Sequence, residues 1–423
     1  MENILPKYKR PIRNGTEPTY CLDSWDEALD AFDDKKYYKS IAHVINYTHD
    51  NSIDKALLKE NKEFKSEYIN GYVRILIDVS KDGFKIKVPF LKITENTNKV
   101  ALLRKVSEIN FRDLDIAQIH LVGDELVFEQ NIPLILCEPY KIFYLISEMA
   151  NISIKNSVLL AHDYDAMYIE SPQKIYPTPD QENQVISDIR DILKVAGEYI
   201  AFFQEKQLDD FQWDIIVISL FKLGSMPYLN GAMKYEIADI IDAMYNGDES
   251  FNVRIKKGKK FINTLTDKND DEFKKNIFAL NFFIPKIRSS EDIMKERIEK
   301  ARERVDGFIA KNDAMSLCYY LEDIFVSLVY DYSLDINYRN AIEKTLEEIG
   351  GLSPNDAMPK LLALHNAIYA KDLAYIKEMG KESSQQLFEN LTISTKKVFK
   401  FLSSRFASLV AILFVLFNIG KTI

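Results

Sequence analysis

The chain has 423 residues, enough for two or three domains that each bury a core of their own. Charged residues make up 28% and the hydrophobic class 47%, a globular composition that excludes an extended disordered chain. The formal charge of −9 sets bulk electrostatics against nucleic acid, so no nucleic-acid partner is expected.

Residues 1–20 read as an N-terminal extension. They carry basic residues but no apolar run of the length a secretory signal needs, so the chain is expected to start in the cytosol. Two short helices should follow. Ser24 is placed to cap the first, with Asp26 and Glu27 in its first turn and Trp25, Ala28, Leu29 and Phe32 at helical spacing. Tyr37, Tyr38, Ile41, Ala42 and Ile45 mark the second. The aromatic residues of both are expected in the core or between helices.

Strand patterns come next. Val73, Ile75 and Ile77 alternate with Arg74, Leu76 and Asp78, and Phe84, Ile86, Val88 and Phe90 alternate with Lys85, Lys87 and Pro89. Lys81-Asp82-Gly83 between them is a tight-turn sequence, so the two runs form a hairpin with one apolar and one solvated face. A helix over 98–110 should turn Val100, Leu103, Val106 and Ile109 to one side. A second strand pair is expected at 117–122 and 125–130, joined through Gly123-Asp124. Pro139 then opens a helix carrying Tyr140, Phe143, Tyr144, Ile146 and Met149. Hairpins with helices kept to one side imply an antiparallel sheet in an α+β domain spanning 21–170.

That order, with Gly123-Asp124-Glu125-Leu126-Val127-Phe128 leading to an apolar helix and Trp25-Asp26-Glu27-Ala28-Leu29 opening the domain, resembles the type III secretion chaperone-like fold. Lys36-Tyr37 and Tyr47 belong to the same likeness, whose nearest group is the bacterial YbjN-like proteins. The resemblance covers about residues 20–170. It implies a non-catalytic protein-binding or chaperone-like module, often a homodimer, and supplies no active-site residues.

Residues 171–182, with Pro172, Pro177 and Pro179, read as a linker. An all-α domain over 183–390 follows. Ile186, Ile189, Ile192, Leu193 and Ile200 mark one helix, and Trp213, Ile216, Val217, Leu220 and Phe221 another, closing at Leu223-Gly224. Ile237, Ile240, Ile241 and Met244 mark a third. Helices are also expected at 273–283, 291–310, 314–329, 338–349 and 358–368, the charged stretch 291–304 being solvated.

Chemistry-bearing motifs are scarce. Cys21, Cys137 and Cys318 are far apart with no paired spacing, and Cys318 should be a buried thiol. His43 and His49 do not share a helix face. His162-Asp163-Tyr164-Asp165 is the densest His/Asp cluster, and a surface turn outweighs a metal site there. Asp267, Asp270, Asp271 and Glu272 lack the spacing of a calcium loop. With no nucleophile elbow or dinucleotide loop, no cofactor or metal is expected and a non-enzyme is the primary reading.

The tail, 391–423, differs from the rest: it holds Lys396, Lys397, Lys400, Arg405 and Lys421 and no Asp or Glu. Phe401, Phe406, Leu409, Leu413, Phe414, Leu416 and Phe417 give it an apolar face and then an almost wholly apolar helix. Residues 406–419 would span about 21 Å as a helix, short of the ~30 Å hydrocarbon core. Extension back to Leu402, with Arg405 snorkelling, makes a marginal crossing. Lysines on its N-terminal side would hold the body at the cytoplasmic face of an inner membrane. The competing expectation is a core or oligomer-interface helix.

The sequence thus predicts a bacterial, non-enzymatic protein-binding adaptor or chaperone-like regulator that touches a membrane through its tail. Two other readings stay open: a membrane-acting effector whose C-terminal helix inserts into lipid, and an enzyme with an unrecognised site.

Overall fold

The computed structural model describes residues 4–13, 20–49, 53–284, 286–288 and 290–381. The expected C-terminal apolar helix lies outside the described residues.

The first unit runs α1 (Asp23–Asp33), α2 (Tyr37–Thr48), β1 (Phe64–Asn70), β2 (Val73–Ser80), β3 (Gly83–Lys92), α3 (Lys99–Arg112), β4 (Ile119–Val122), β5 (Glu125–Ile132), α4 (Pro139–Tyr164) and β6 (Met167–Tyr168). Its strands are antiparallel in the order β1-β2-β3-β5-β4, with β6 beside β3. The α+β class read from the sequence is therefore what forms. The predicted hairpin is β2–β3, closed by Lys81-Asp82. Gly83 opens β3 at φ +127°, where a Cβ would stand 2.5 Å from the Ile132 carbonyl oxygen, so only glycine fits. Val73, Ile75, Val79, Phe84, Ile86, Val88 and Phe90 are fully buried beneath the helices. The opposite face carries Lys65, Glu67, Asp78 and Lys87, with Lys65 and Asp78 paired at 2.6 Å.

Two local readings are corrected here. Ser24 does not cap α1: the helix begins one residue earlier, and the buried Ser24 hydroxyl accepts a 2.8 Å hydrogen bond from Asn46 Nδ2, linking α1 to α2. Val100 is not on the packed face of α3, which buries Leu102, Val106 and Ile109.

The second unit holds α5 (Pro179–Glu205), α6 (Asp209–Gly224), α7 (Gly231–Tyr245), α8 (Phe251–Asp267), α9 (Asp270–Lys274), β7 (Ile287–Arg288), α10 (Glu291–Ala310), α11 (Ala314–Asp331), β8 (Tyr332–Ser333), α12 (Ile336–Ile349), α13 (Pro354–Ala370) and α14 (Leu373–Met379). Helix α6 is buried nearly all round, from Ile215 to Leu223, with α5, α7, α8 and α11 against it. Cys318 on α11 is buried as expected, and burial pushes its thiol up to about 12. Helix α10 is not simply solvated: Met294, Ile298, Ala301 and Val305 form a buried stripe against α11 and α13.

No helix spans 273–283. After α9 the chain is extended, and this stretch joins the two units. Ile277 bridges to Leu229 and Ala279 to Ile175, while Phe278, Leu280, Phe283 and Ile284 enter the core of the first unit. Asn70, only 1% exposed, receives the Phe283 and Ile284 amides on Oδ1 at 2.8 and 3.4 Å. Gly71 N donates to Asn281 O at 2.9 Å.

The N-terminal residues 4–13 also pack elsewhere than their position in the chain suggests. They cross the helical unit as a strap. Leu5 is 1% exposed, its amide donates to Leu352 O at 2.8 Å, and its carbonyl accepts from Gly351 N at 2.9 Å. Lys9 pairs with Asp188, Arg10 with Glu347 and Arg13 with Glu343, so a basic strap lies on acidic helices.

Candidate protein-binding surface

Helices α1, α2 and α4 pack against one another in the first unit, and there the aromatic residues concentrate. Asp23–Asp33 presents Trp25 outward, because Ser24, Ala28 and Ala31 occupy the inward stripe. Tyr47 comes from the last turn of α2. Pro139 at the first turn of α4, with Glu138 Oε2 accepting from Lys141 N at 3.0 Å, fixes where that helix begins. The spacing from Tyr140 to Phe143 and Tyr144 then puts three rings on one face of α4.

The rings form a continuous network. Trp25 lies 4.8 Å from Tyr140, 5.8 Å from Phe143 and 4.7 Å from Tyr47 between centroids. Tyr47 reaches Tyr20 at 5.0 Å and Phe143 at 5.7 Å, and Phe143 reaches Tyr144 at 5.4 Å. Edge-on and tilted contacts of this kind hold the rings in fixed positions. Tyr20 donates its hydroxyl to Lys286 O at 3.0 Å, tying the network to the second unit. Burial raises the Tyr20 and Tyr47 phenols above their ordinary range.

These rings are only partly covered. Tyr140 is 48% and Tyr144 58% exposed, and Leu22, Ile135 and Leu136 beside them in the chain are exposed as well. Contiguous apolar surface of this sort marks interaction sites, and Tyr and Trp are the residues that dominate binding energy at such sites. The rim is acidic: Asp23, Asp26, Glu27, Asp30 and Asp33 on α1 are all exposed. The sequence reading had Trp25, with the other aromatics of α1 and α2, in the core or between helices, and placed Tyr140, Phe143 and Tyr144 on α4 without assigning their face. Trp25 makes helix–helix contacts and is partly covered, while Tyr140 and Tyr144 are exposed.

The other sequence candidates are placed as follows. His43 Nε2 lies 3.0 Å from Leu58 O and His49 Nδ1 3.2 Å from Phe283 O. His162 pairs with its neighbour Asp163 on the surface at 2.9 Å. Asp270, Asp271 and Glu272 form the first turn of α9, capped by Asn269. Among the described residues no group of three or more His, Cys, Asp or Glu is arranged to hold a metal. No helix among them is long and apolar enough to cross a membrane. The expected membrane-contact residues, from Lys396 to Phe417, lie outside the described residues.

Comparison with protein-family models, with curated proteins and with solved structures gives no match in any of the three.

Proposed function

We propose that this chain is a non-enzymatic, chaperone-like adaptor that takes up a segment of a partner protein on the aromatic surface of α1, α2 and α4. The carrying observation is the ring network of Trp25, Tyr47, Tyr140, Phe143 and Tyr144, with Tyr140 and Tyr144 about half exposed, beside an acidic rim. Charge complementarity defines the occupant: a basic, amphipathic stretch of another protein, its apolar side on the rings and its lysines or arginines toward α1. The α+β architecture of the domain accords with a protein-binding module of the secretion-chaperone type. Residues 396–417, cationic and then apolar, bring the adaptor to the cytoplasmic face of a membrane in this proposal.

Two measurements test it. A synthetic Leu/Lys amphipathic peptide titrated against the full-length protein should bind, and the pair Tyr140→Ser and Tyr144→Ser should weaken it about tenfold or more. Equal affinity for the variant and the wild type would remove the surface from the proposal. Full-length protein should sediment with membranes, and a chain ending at Lys396 should not; unchanged partition would remove the tail's role.

A further inference from the structure

A cavity of about 610 Å³ lies beneath the N-terminal strap, between α5, α6 and α11. Pro6, Lys7, Tyr8, Lys9 and Pro11 roof it. The strap is anchored beyond the cavity: Leu5 exchanges backbone hydrogen bonds with Leu352 and Gly351, and Arg10 and Arg13 pair with Glu347 and Glu343 on α12. Pro6 and Pro11 favour an extended course between those anchors, so the strap bridges the gap rather than collapsing into it. Interiors rarely leave voids larger than a water molecule, whereas this volume is in the range of small-molecule sites.

The floor is apolar, with Ile192 and Val195 from α5, Ile215 and Met226 from α6 and just beyond it, and Val326 and Val329 from α11. The charges around it cancel. Lys7, Lys9 and Lys194 stand with Asp188, Asp191 and Glu198, Lys9 pairing with Asp188 at 2.6 Å, and Lys222 is matched by Glu322 at 2.7 Å. A neutral lining gives an ion no net attraction to offset its lost hydration. Hydrogen-bond donors, by contrast, gather along α6. Ser219, Lys222 and Ser225 follow at three-residue intervals, which sets them along one side of the helix. The Lys222 ammonium has three donors, of which Glu322 takes one, and its Nζ stands 5.6 Å from the Tyr8 ring of the roof. The buried Ser225 hydroxyl has no hydrogen-bond partner, although buried hydroxyls are nearly always paired.

We propose that this cavity binds an uncharged, chiefly apolar small molecule bearing one carbonyl group. The apolar body lies on Val195, Val326 and Val329, and the carbonyl oxygen accepts from Lys222 and from Ser219 or Ser225. The strap closes over it, so a bound molecule adds contacts to the roof and holds the strap in place. A partner helix is not the occupant, because a helix with its side chains is about 10 Å across and the roof leaves no open groove for it. This site is separate from the aromatic surface and does not depend on it.

The probe is prodan, an uncharged naphthyl ketone whose emission shifts to the blue in apolar surroundings, titrated into full-length protein. One site is expected, with anionic naphthalenesulfonate binding at least about tenfold more weakly. Val195→Trp, at a half-buried position on the wall, fills the space and should weaken prodan at least about tenfold while circular dichroism stays unchanged. The pair Ser219→Ala and Ser225→Ala should weaken it about threefold or more, the worth of one hydrogen bond. Amide hydrogen exchange at Tyr8 and Lys9 should slow with saturating prodan in the wild type and not in Val195→Trp. No blue shift, naphthalenesulfonate binding as tightly, full affinity in either variant, or strap exchange untouched by prodan would overturn the proposal.

Discussion

Lys222 and Glu322 meet at 2.7 Å with side chains 7% and 1% exposed, inside the helical unit. Glu322 Oε2 has no hydrogen-bond partner, so the carboxylate depends on this lysine. Removing one member of a buried pair strands the other charge at a cost of roughly 3–5 kcal/mol, whereas replacing both by apolar residues costs far less. Lys222→Met should therefore lower the urea midpoint markedly, and adding Glu322→Leu should restore most of it. A double variant as unstable as the single one would show that packing, not charge, holds this position.

Asp214 and Asp323 give a pH signature. Burial, then the neighbouring Asp323 carboxylate, pushes Asp214 up to about 8; burial pushes Asp323 up to about 7 against the 3.2 Å hydrogen bond from Tyr245. Their folded values lie above the unfolded ones, so between about pH 4 and about pH 8 the folded state holds more protons. Stability from these groups is present at the acidic end and is lost as pH rises through that window. The thermal midpoint should fall from pH 5 to pH 8, and Asp214→Asn should flatten the slope. A midpoint that rises with pH in both proteins would contradict this.

At the scale of elements, the strap is the part whose position the sequence least discloses. Nothing in residues 4–13 states that Leu5 pairs with Leu352 nearly three hundred and fifty residues away, because such a contact leaves no local period. Leu5→Ala should cost about 2–3 kcal/mol, as loss of a fully buried leucine does. Unchanged unfolding of Leu5→Ala would show that the strap is not part of the fold.

The legible elements were those with strong local rules. Alternation in β2 and β3 with Asp-Gly between them specified a hairpin, and 3.6-residue spacing specified α5, α6 and α7. Other elements failed for physical reasons. Asn276 to Ile284 is apolar at spacings that fit a helix, but a short apolar run fits a buried extended segment equally well. Thr178-Pro179-Asp180-Gln181 read as linker because prolines break helices. Here Pro179 is the first helical residue, and Thr178 with Gln181 closes a capping box. Helix α8 hid behind its lysines; Gly258 on it meets Ile216 and Met244, where a Cβ would lie 2.6 and 2.8 Å away. The aromatic surface was half visible: spacing grouped Tyr140, Phe143 and Tyr144, but periodicity does not say which face meets water.

At the scale of the whole molecule, two cores are joined by the extended stretch Ile277 to Ile284, by Asn70 and by Tyr20 reaching Lys286. The aromatic surface borders that junction through Tyr20 and Tyr47. Under the proposed function, the rings sit on packed helices rather than on a loop, so little side-chain entropy is lost on binding. The proposed function turns on what touches those rings. A photo-crosslinking amino acid placed at Tyr144 of the full-length protein, in the cell that makes it, gives the answer directly. The expected product is an adduct to another protein, through a peptide rich in Lys or Arg and apolar residues, that disappears with Trp25→Ala. Adducts only to the chain's own residues 391–423, only to a second copy, or the same as those from a control position at Lys300 would contradict it.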